Sequence, residues 1–259
     1  MSHVNVDCVL DIKASLGESP IWSVKDQILY WVDINNHLIC KFDPINKINS
    51  IINVGDFIGC FALKKNSNIV LALTNGFFEL EQKKGNISFL CEPKDNNPKN
   101  RFNDGTVDSK GRFYAGTMSL NQKSKGEEPQ GSLYCLHPSG DIKKILDGFY
   151  TINGLAFSPD YKTAYVSDSA PWIRTIWSYD YDLEDGIWSN KKVFFETHKV
   201  NGRPDGGCVD ADGCYWMAGV SGWELVRITP KGKIDMIIKM PIEKPTKIAF
   251  GGAKLDTLY

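Results

Sequence analysis

The sequence predicts an all-β fold, a six-bladed β-propeller, and three observations carry that prediction. First, a short motif recurs. Glu18-Ser-Pro-Ile-Trp22, Asn103-Asp-Gly-Thr-Val107, Asn153-Gly-Leu-Ala-Phe157 and Asp205-Gly-Gly-Cys-Val209 each set an oxygen-bearing side chain first and an apolar or β-branched residue four places on. Two weaker copies, Ile58-Gly-Cys-Phe-Ala62 and Thr246-Lys-Ile-Ala-Phe250, fit the same frame. Second, the starts at 18, 58, 103, 153, 205 and 246 are 40, 45, 50, 52 and 41 residues apart, the period of a propeller blade. Third, helical periodicity of any length is absent, while β-branched and aromatic runs alternate with Gly-, Pro- and Asp-rich turns.

Within a copy, the motif opens a first strand, and a polar turn follows: Val24–Gln27, Asp108–Gly111, Ser158–Lys162 and Asp210–Gly213. Second strands are predicted over Ile28–Ile34, Arg112–Gly116, Thr163–Asp168 and Cys214–Gly219, with Tyr and Trp at matching places. Third strands follow over Leu38–Phe42, Gly131–Leu136, Thr175–Tyr179 and Leu225–Thr229, and shorter fourth strands such as Ile48–Asn53 complete the blades. Residues 119–130 are polar and strand-poor, and read as a long loop inside the third copy. The sixth copy stops inside its second strand, Thr257–Tyr259, so the last blade is expected to be incomplete at the C-terminus, with Val6–Ile12 available as a strand to fill it. One domain covering 1–259 is expected.

Composition narrows the function classes. The 259 residues are 42% hydrophobic and 24% charged with a net charge of −1, a globular balance with nothing to attract a polyanion such as nucleic acid. No apolar stretch is long enough to span a bilayer and the N-terminus lacks a signal pattern. Seven scattered cysteines without a Cys-x-x-Cys pair read as reduced thiols, and the expected compartment is the cytoplasm.

Equivalent positions of a propeller converge on its axis. Glu18, Asn103, Asn153 and Asp205 would therefore ring one point with hard oxygen donors, which is a cation site. Two carboxylates and two amide carbonyls suit Ca²⁺, Mg²⁺ or Mn²⁺, with Zn²⁺ and Fe²⁺ as further candidates. Short turns would also use Asn-Gly and Asp-Gly steps, but glutamate does not form turns readily, and four phase-matched donors are hard to explain by turn chemistry alone. The four histidines show no metal-ligand spacing, and neither a Gly-x-Ser-x-Gly elbow nor a phosphate-cradling or dinucleotide loop is present.

The strings Leu16-Gly-Glu-Ser-Pro-Ile-Trp22, Arg101-Phe-Asn-Asp-Gly105, Gly116-Thr-Met118, Ile152-Asn-Gly-Leu155, Arg203-Pro-Asp-Gly206 and Phe250-Gly-Gly252 resemble the senescence-marker-protein/gluconolactonase family, in its order and spacing from about residue 7 onward. That resemblance implies a six-bladed propeller that hydrolyses sugar lactones with a divalent cation. It implies Glu18, Asn153 and Asp205 as metal ligands, Asn103 as a further ligand or a water-mediated one that also meets substrate, Arg101 as substrate-binding, and Asp205 as general base. Two departures stand out. Animal members carry acidic residues shortly after Gly-Thr-Met, where this chain has Leu120 and Asn121. The family also continues beyond the Leu-Tyr of the last strand.

The expected function is hydrolysis of a small-molecule sugar lactone to its aldonic acid. The alternatives are a non-catalytic calcium-binding protein and a promiscuous esterase or organophosphate hydrolase. Asp33 and Asp168, ending equivalent second strands, are expected to be structural. Trp31, Trp177 and Trp216 are expected to pack between blades, and Lys123 and Lys125 to sit on a solvated loop.

Overall fold

Strand by strand, the predicted runs pair with their sequence neighbours into antiparallel meanders, and the computed structural model describes them over residues 4–121 and 124–259. The first sheet holds β1 (Gly17–Ser23), β2 (Ile28–Asp33), β3 (Leu38–Asp43) and β4 (Ile48–Asn53). The second holds β5 (Cys60–Leu63), β6 (Ile69–Ala72), β7 (Phe77–Glu81) and β8 (Asn86–Cys91). The third holds β9 (Asn100–Val107), β10 (Phe113–Ser119), β11 (Gly131–Leu136) and β12 (Ile142–Phe149). The fourth holds β13 (Ile152–Phe157), β14 (Thr163–Asp168), β15 (Thr175–Asp182) and β16 (Ile187–Glu196). The fifth holds β17 (Arg203–Val209), β18 (Tyr215–Val220), β19 (Glu224–Ile228) and β20 (Ile234–Lys239). In every sheet the strand order is the chain order.

First strands lie beside one another from sheet to sheet: β1 by β5, β5 by β9, β9 by β13 and β13 by β17. Fourth strands such as β4, β8 and β20 are mostly exposed. The sheets are therefore arranged as propeller blades, first strand innermost. Apolar clusters fill each blade interface. Tyr30, Val32, Phe61 and Leu71 join the first two blades, while Leu133, Ile152, Leu155 and Val166 join the third and fourth. Full burial of one such side chain is worth about 1.5–3 kcal/mol, so the core is a ring of interfaces rather than a central mass. Trp216 is buried and packs edge-on against Phe250, and Trp177 meets Phe149 in the same way. Among the described residues no helix is long and apolar enough to cross a membrane.

Asp33 and Asp168 tie the entry of a blade to the end of its second strand. Asp33 accepts hydrogen bonds from the Ser15 and Leu16 N–H groups at 2.9 and 3.0 Å. Asp168 does the same for Tyr150 and Thr151 at 2.7 and 3.2 Å. In the fifth blade Glu224 takes this part, accepting the Gly202 N–H at 2.8 Å.

The ending differs from expectation. Five blades are four-stranded, and the sixth motif copy contributes a two-stranded sheet, β21 (Phe250–Gly251) with β22 (Thr257–Leu258). Residues 241–248 form no strand, and Pro241 and Pro245 remove two donors from this short stretch; Ala249 and Tyr259 exchange both backbone hydrogen bonds at 3.0 and 2.9 Å, one pair beyond the two-stranded sheet. Residues 4–12 form no strand either. Val9 and Ile12 are exposed, Leu10 is half-buried, and Val6 packs against the cluster of Trp216, Ile238 and Ile248. The ring is nevertheless joined at this point. Gly206 donates its N–H to the Thr246 carbonyl at 2.7 Å, and Thr246 Oγ1 donates to the Gly17 carbonyl at 2.6 Å. Of the two loop lysines, Lys125 lies in an exposed turn and Lys123 is outside the described residues.

Candidate functional site

Each of the four oxygen-bearing residues sits where its inner strand slips register against the second strand. The slips fall after Glu18 in β1, across Asn103 and Asp104 in β9, after Asn153 in β13 and after Pro204 in β17. β5 pairs with β6 without a slip, and Ile58, at the same phase, is wholly buried in the core. A bulge re-aims a side chain out of the pleat, and among the pairings of first with second strands the four that carry a donor are the four that slip. At two of them the next residue is left-handed: Gly154 at φ 63° and Ser19 at φ 48°. At Gly154 a side chain would collide with the Tyr215 hydroxyl, which itself donates to the Gly154 carbonyl at 2.8 Å.

A line of hydrogen bonds joins three of the predicted residues. Arg101 Nη1 donates to Asn103 Oδ1 at 2.9 Å and to the Phe102 carbonyl at 2.8 Å. Asn103 Nδ2 donates to Asn153 Oδ1 at 2.9 Å. Asn153 Nδ2 donates to Ser169 Oγ at 2.7 Å, and Ser169 Oγ donates to the carbonyl of Pro204, next to Asp205. Glu18 accepts the Ser19 N–H at 2.8 Å and makes no hydrogen bond to the other three donors.

Charge links the rest. Burial, reinforced by Asp104, pushes the Glu18 carboxyl up to about 7, against the pull of Lys247, the Ser19 N–H and Arg101. Burial pushes Asp205 well above the ordinary aspartate range, and the charges of Glu18 and Asp104 add to it. Burial pulls the Arg101 guanidinium down, and Glu18 and Asp205 are among the groups that resist this. Glu18, Asp205 and Arg101 therefore share one field. Two crowded carboxylates with amide oxygens nearby fit a hard divalent ion, because such an ion relieves the repulsion that raises both carboxyls. Among the described residues no three Cys, His, Asp or Glu side chains cluster as a metal site, so any cation here depends on the amides.

The chain matches the SMP-30/Gluconolactonase/LRE-like region family model over residues 16–259. It belongs to that family. Regucalcin of Xenopus laevis is 38% identical across the whole chain and 87% of the relative, and human regucalcin is 33% identical over the same shares. Among solved structures, a luciferin-regenerating enzyme superposes with a TM-score of 0.88 at 29% identity, covering 95% of this chain and 83% of its own. A calcium-binding regucalcin from Agrobacterium tumefaciens superposes with a TM-score of 0.86 at 24% identity, covering 94% and 80%, a likeness of fold.

Two residues at this site escaped the sequence reading. Asp104 reads as a turn residue in Asn-Asp-Gly, yet it is 1% exposed and paired with Lys247. Lys247 sits in a copy otherwise made of threonine and apolar residues, and a lone lysine in that motif copy was the available signal. A cavity of about 780 Å³ opens at the far end of the inner strands. It is lined by Trp22, Leu63, Val107, Phe157 and Lys247 and by none of the four donors.

Proposed function

We propose that this chain is a divalent-cation-dependent lactonase that opens a sugar lactone to the aldonic acid. The observation that supports it is the hydrogen-bonded line Arg101–Asn103–Asn153 beside two crowded carboxylates, Glu18 and Asp205. Glu18, Asn153 and Asp205 would hold the ion, with Asn103 beside them directly or through a water. A bound divalent ion supplies Lewis-acid polarisation of the lactone carbonyl.

The remaining work falls to the chain. Asp205, whose burial raises its affinity for protons, takes a proton from the attacking water as the new carbon–oxygen bond forms. Arg101 has only Nη1 engaged by protein among the described residues, which leaves other N–H groups to meet negative charge developing on the carbonyl oxygen. When the ring carbon–oxygen bond breaks, Asp205 returns its proton to the departing oxygen, and the products are a hydroxyl and an acid. We read β21 and β22 as the inner part of a sixth blade within one domain covering 1–259. The cytoplasm is the compartment that its seven free cysteines suit.

The deciding experiment is lactone hydrolysis by EDTA-stripped protein with separate return of Ca²⁺, Mg²⁺, Mn²⁺, Zn²⁺ and Fe²⁺. Activity lost on stripping and restored by one ion is the expected result. Calcium binding without turnover of any sugar lactone would favour the non-catalytic reading instead.

A thermal measurement tests the ring separately. A fixed calcium concentration equal to 100 times its Kd at pH 8 stabilises the fold there by about 2.7 kcal/mol, and at that same concentration the rise in Tm is expected to be smaller at pH 6. Glu18 is raised from 4.5 to about 7 in the metal-free fold. Its contribution to stability is therefore full below the unfolded value and lost as pH rises through about 7. The ion replaces that lost contribution only where the carboxyl is ionised. A calcium effect independent of pH would remove Glu18 from the ligand set.

A further inference from the structure

Lys247 is a buried charged group with no part in the reaction described above. It is the only charged residue of the copy Thr246–Phe250, and its side chain is 8% exposed. Its stem crosses the backbone of Gly206, where any Cβ would collide with it. The bond from the Gly206 N–H to the Thr246 carbonyl fixes the point from which that stem departs. The ammonium reaches across to the third blade, donating to the Asp104 carboxylate and, at 2.8 Å, to the Gly105 carbonyl. Asp104 is anchored from two more sides, by the Gly105 N–H at 2.8 Å and the Leu155 N–H at 2.9 Å. It shares the β9 bulge with Asn103, one residue from the ring of donors.

We propose that Lys247 is a positioning residue, an internal counter-cation that keeps Asp104 out of the donor ring and so limits how tightly the ring holds a divalent ion. The inference rests on the cation-site reading above. Calcium affinity is tuned by the number of charged ligands, and Asp104 is a third carboxylate within the field of Glu18 and Asp205. Lys247 and Arg101 offset two of those three charges. An ion held by the remaining negative charge stays exchangeable and keeps coordination positions open for a substrate oxygen.

The test is calorimetric titration of Ca²⁺ and Mn²⁺ into EDTA-stripped wild type, Lys247→Met, Asp104→Asn and the double variant. Lys247→Met is expected to bind calcium about tenfold more tightly and, when metal-free, to melt below wild type because Asp104 is left buried and unpaired. The double variant, with neither charge, is expected to return to within about threefold of wild type. A purely structural strap would not show that return, since both variants would have lost it. Calcium affinity unchanged or weakened in Lys247→Met overturns the proposal. If Lys247→Met does not fold, Lys247→Gln keeps a hydrogen-bond donor without the charge, and the same two outcomes decide. Wild type that binds neither ion sinks the ring reading itself, before any variant is compared.

Discussion

Asp205→Asn is expected to keep divalent-cation binding and lose on the order of 10²–10⁴ in turnover, the usual cost of removing a general base. Asparagine still offers a carbonyl oxygen to the ion, but it cannot accept the proton of the attacking water. Asp205→Ala removes both parts and is expected to abolish activity and weaken the calcium-dependent rise in Tm. The two variants separate roles that a single substitution would confound. Near wild-type turnover in Asp205→Asn would leave Asp205 as a ligand only and require the base to be found elsewhere. Measuring kcat and calcium affinity on the same preparations decides between these outcomes.

The largest stability effect is expected far from the site, at the pair Asp108 and Arg112. Asp108 closes the turn after β9, accepting the Arg112 N–H at 2.9 Å and Arg112 Nε at 2.6 Å. It also accepts the Lys110 N–H at 2.9 Å and the Tyr181 hydroxyl, which reaches across from the fourth blade at 2.5 Å. Arg112 also donates to the carbonyls of Leu183 and Glu184. Both charged side chains are almost wholly buried, at 6% and 0% exposure. Asp108→Ala leaves the guanidinium buried without its counter-charge, which costs about 3–5 kcal/mol. For a chain of this size each kcal/mol moves Tm by roughly 2–4 °C, so a fall near 10 °C is expected. A change within 2–3 °C, roughly 1 kcal/mol, would show that the loop carbonyls alone satisfy Arg112.

How much of this was legible in the sequence follows from what repeats. The strands Gly131–Leu136 and Thr163–Asp168 fall where the pattern of apolar and turn residues sets them, because a blade is a local meander whose pairings are between chain neighbours. The shared phase was legible for the same reason: the four residues fall at register slips of equivalent strands. The bulges were not, since a slip of register leaves no mark beyond a small residue after the donor, and Ser19 shows that even this need not be glycine. Asp104 and Lys247 were missed because their meaning lies in a contact between the third and last motif copies, 143 residues apart. The N-terminal strand failed because an alternating apolar stretch forms a strand only beside an edge in register with it. Among the described residues, 4–12 have no such partner, and Val6 packs against the cluster of Trp216 and Ile248 without one.

The seam where the last copy meets the first has a kinetic consequence. Other blade interfaces are apolar walls between four-stranded sheets, but here a two-stranded sheet meets β1 through the Thr246–Gly17 hydrogen bond and the parallel stack of Trp22 on Tyr259, with ring centroids 5.5 Å apart. Transient opening begins where least area is buried, so amide exchange is expected to be faster along β1 and β21 than along β13. Glu18 stands on β1 at that seam, while Asn103, Asn153 and Asp205 stand on β9, β13 and β17. Each opening would carry one carboxylate away from its companions. Under the cation-site reading proposed above, loosening the Trp22–Tyr259 stack is then expected to speed ion release although neither ring belongs to the donor set.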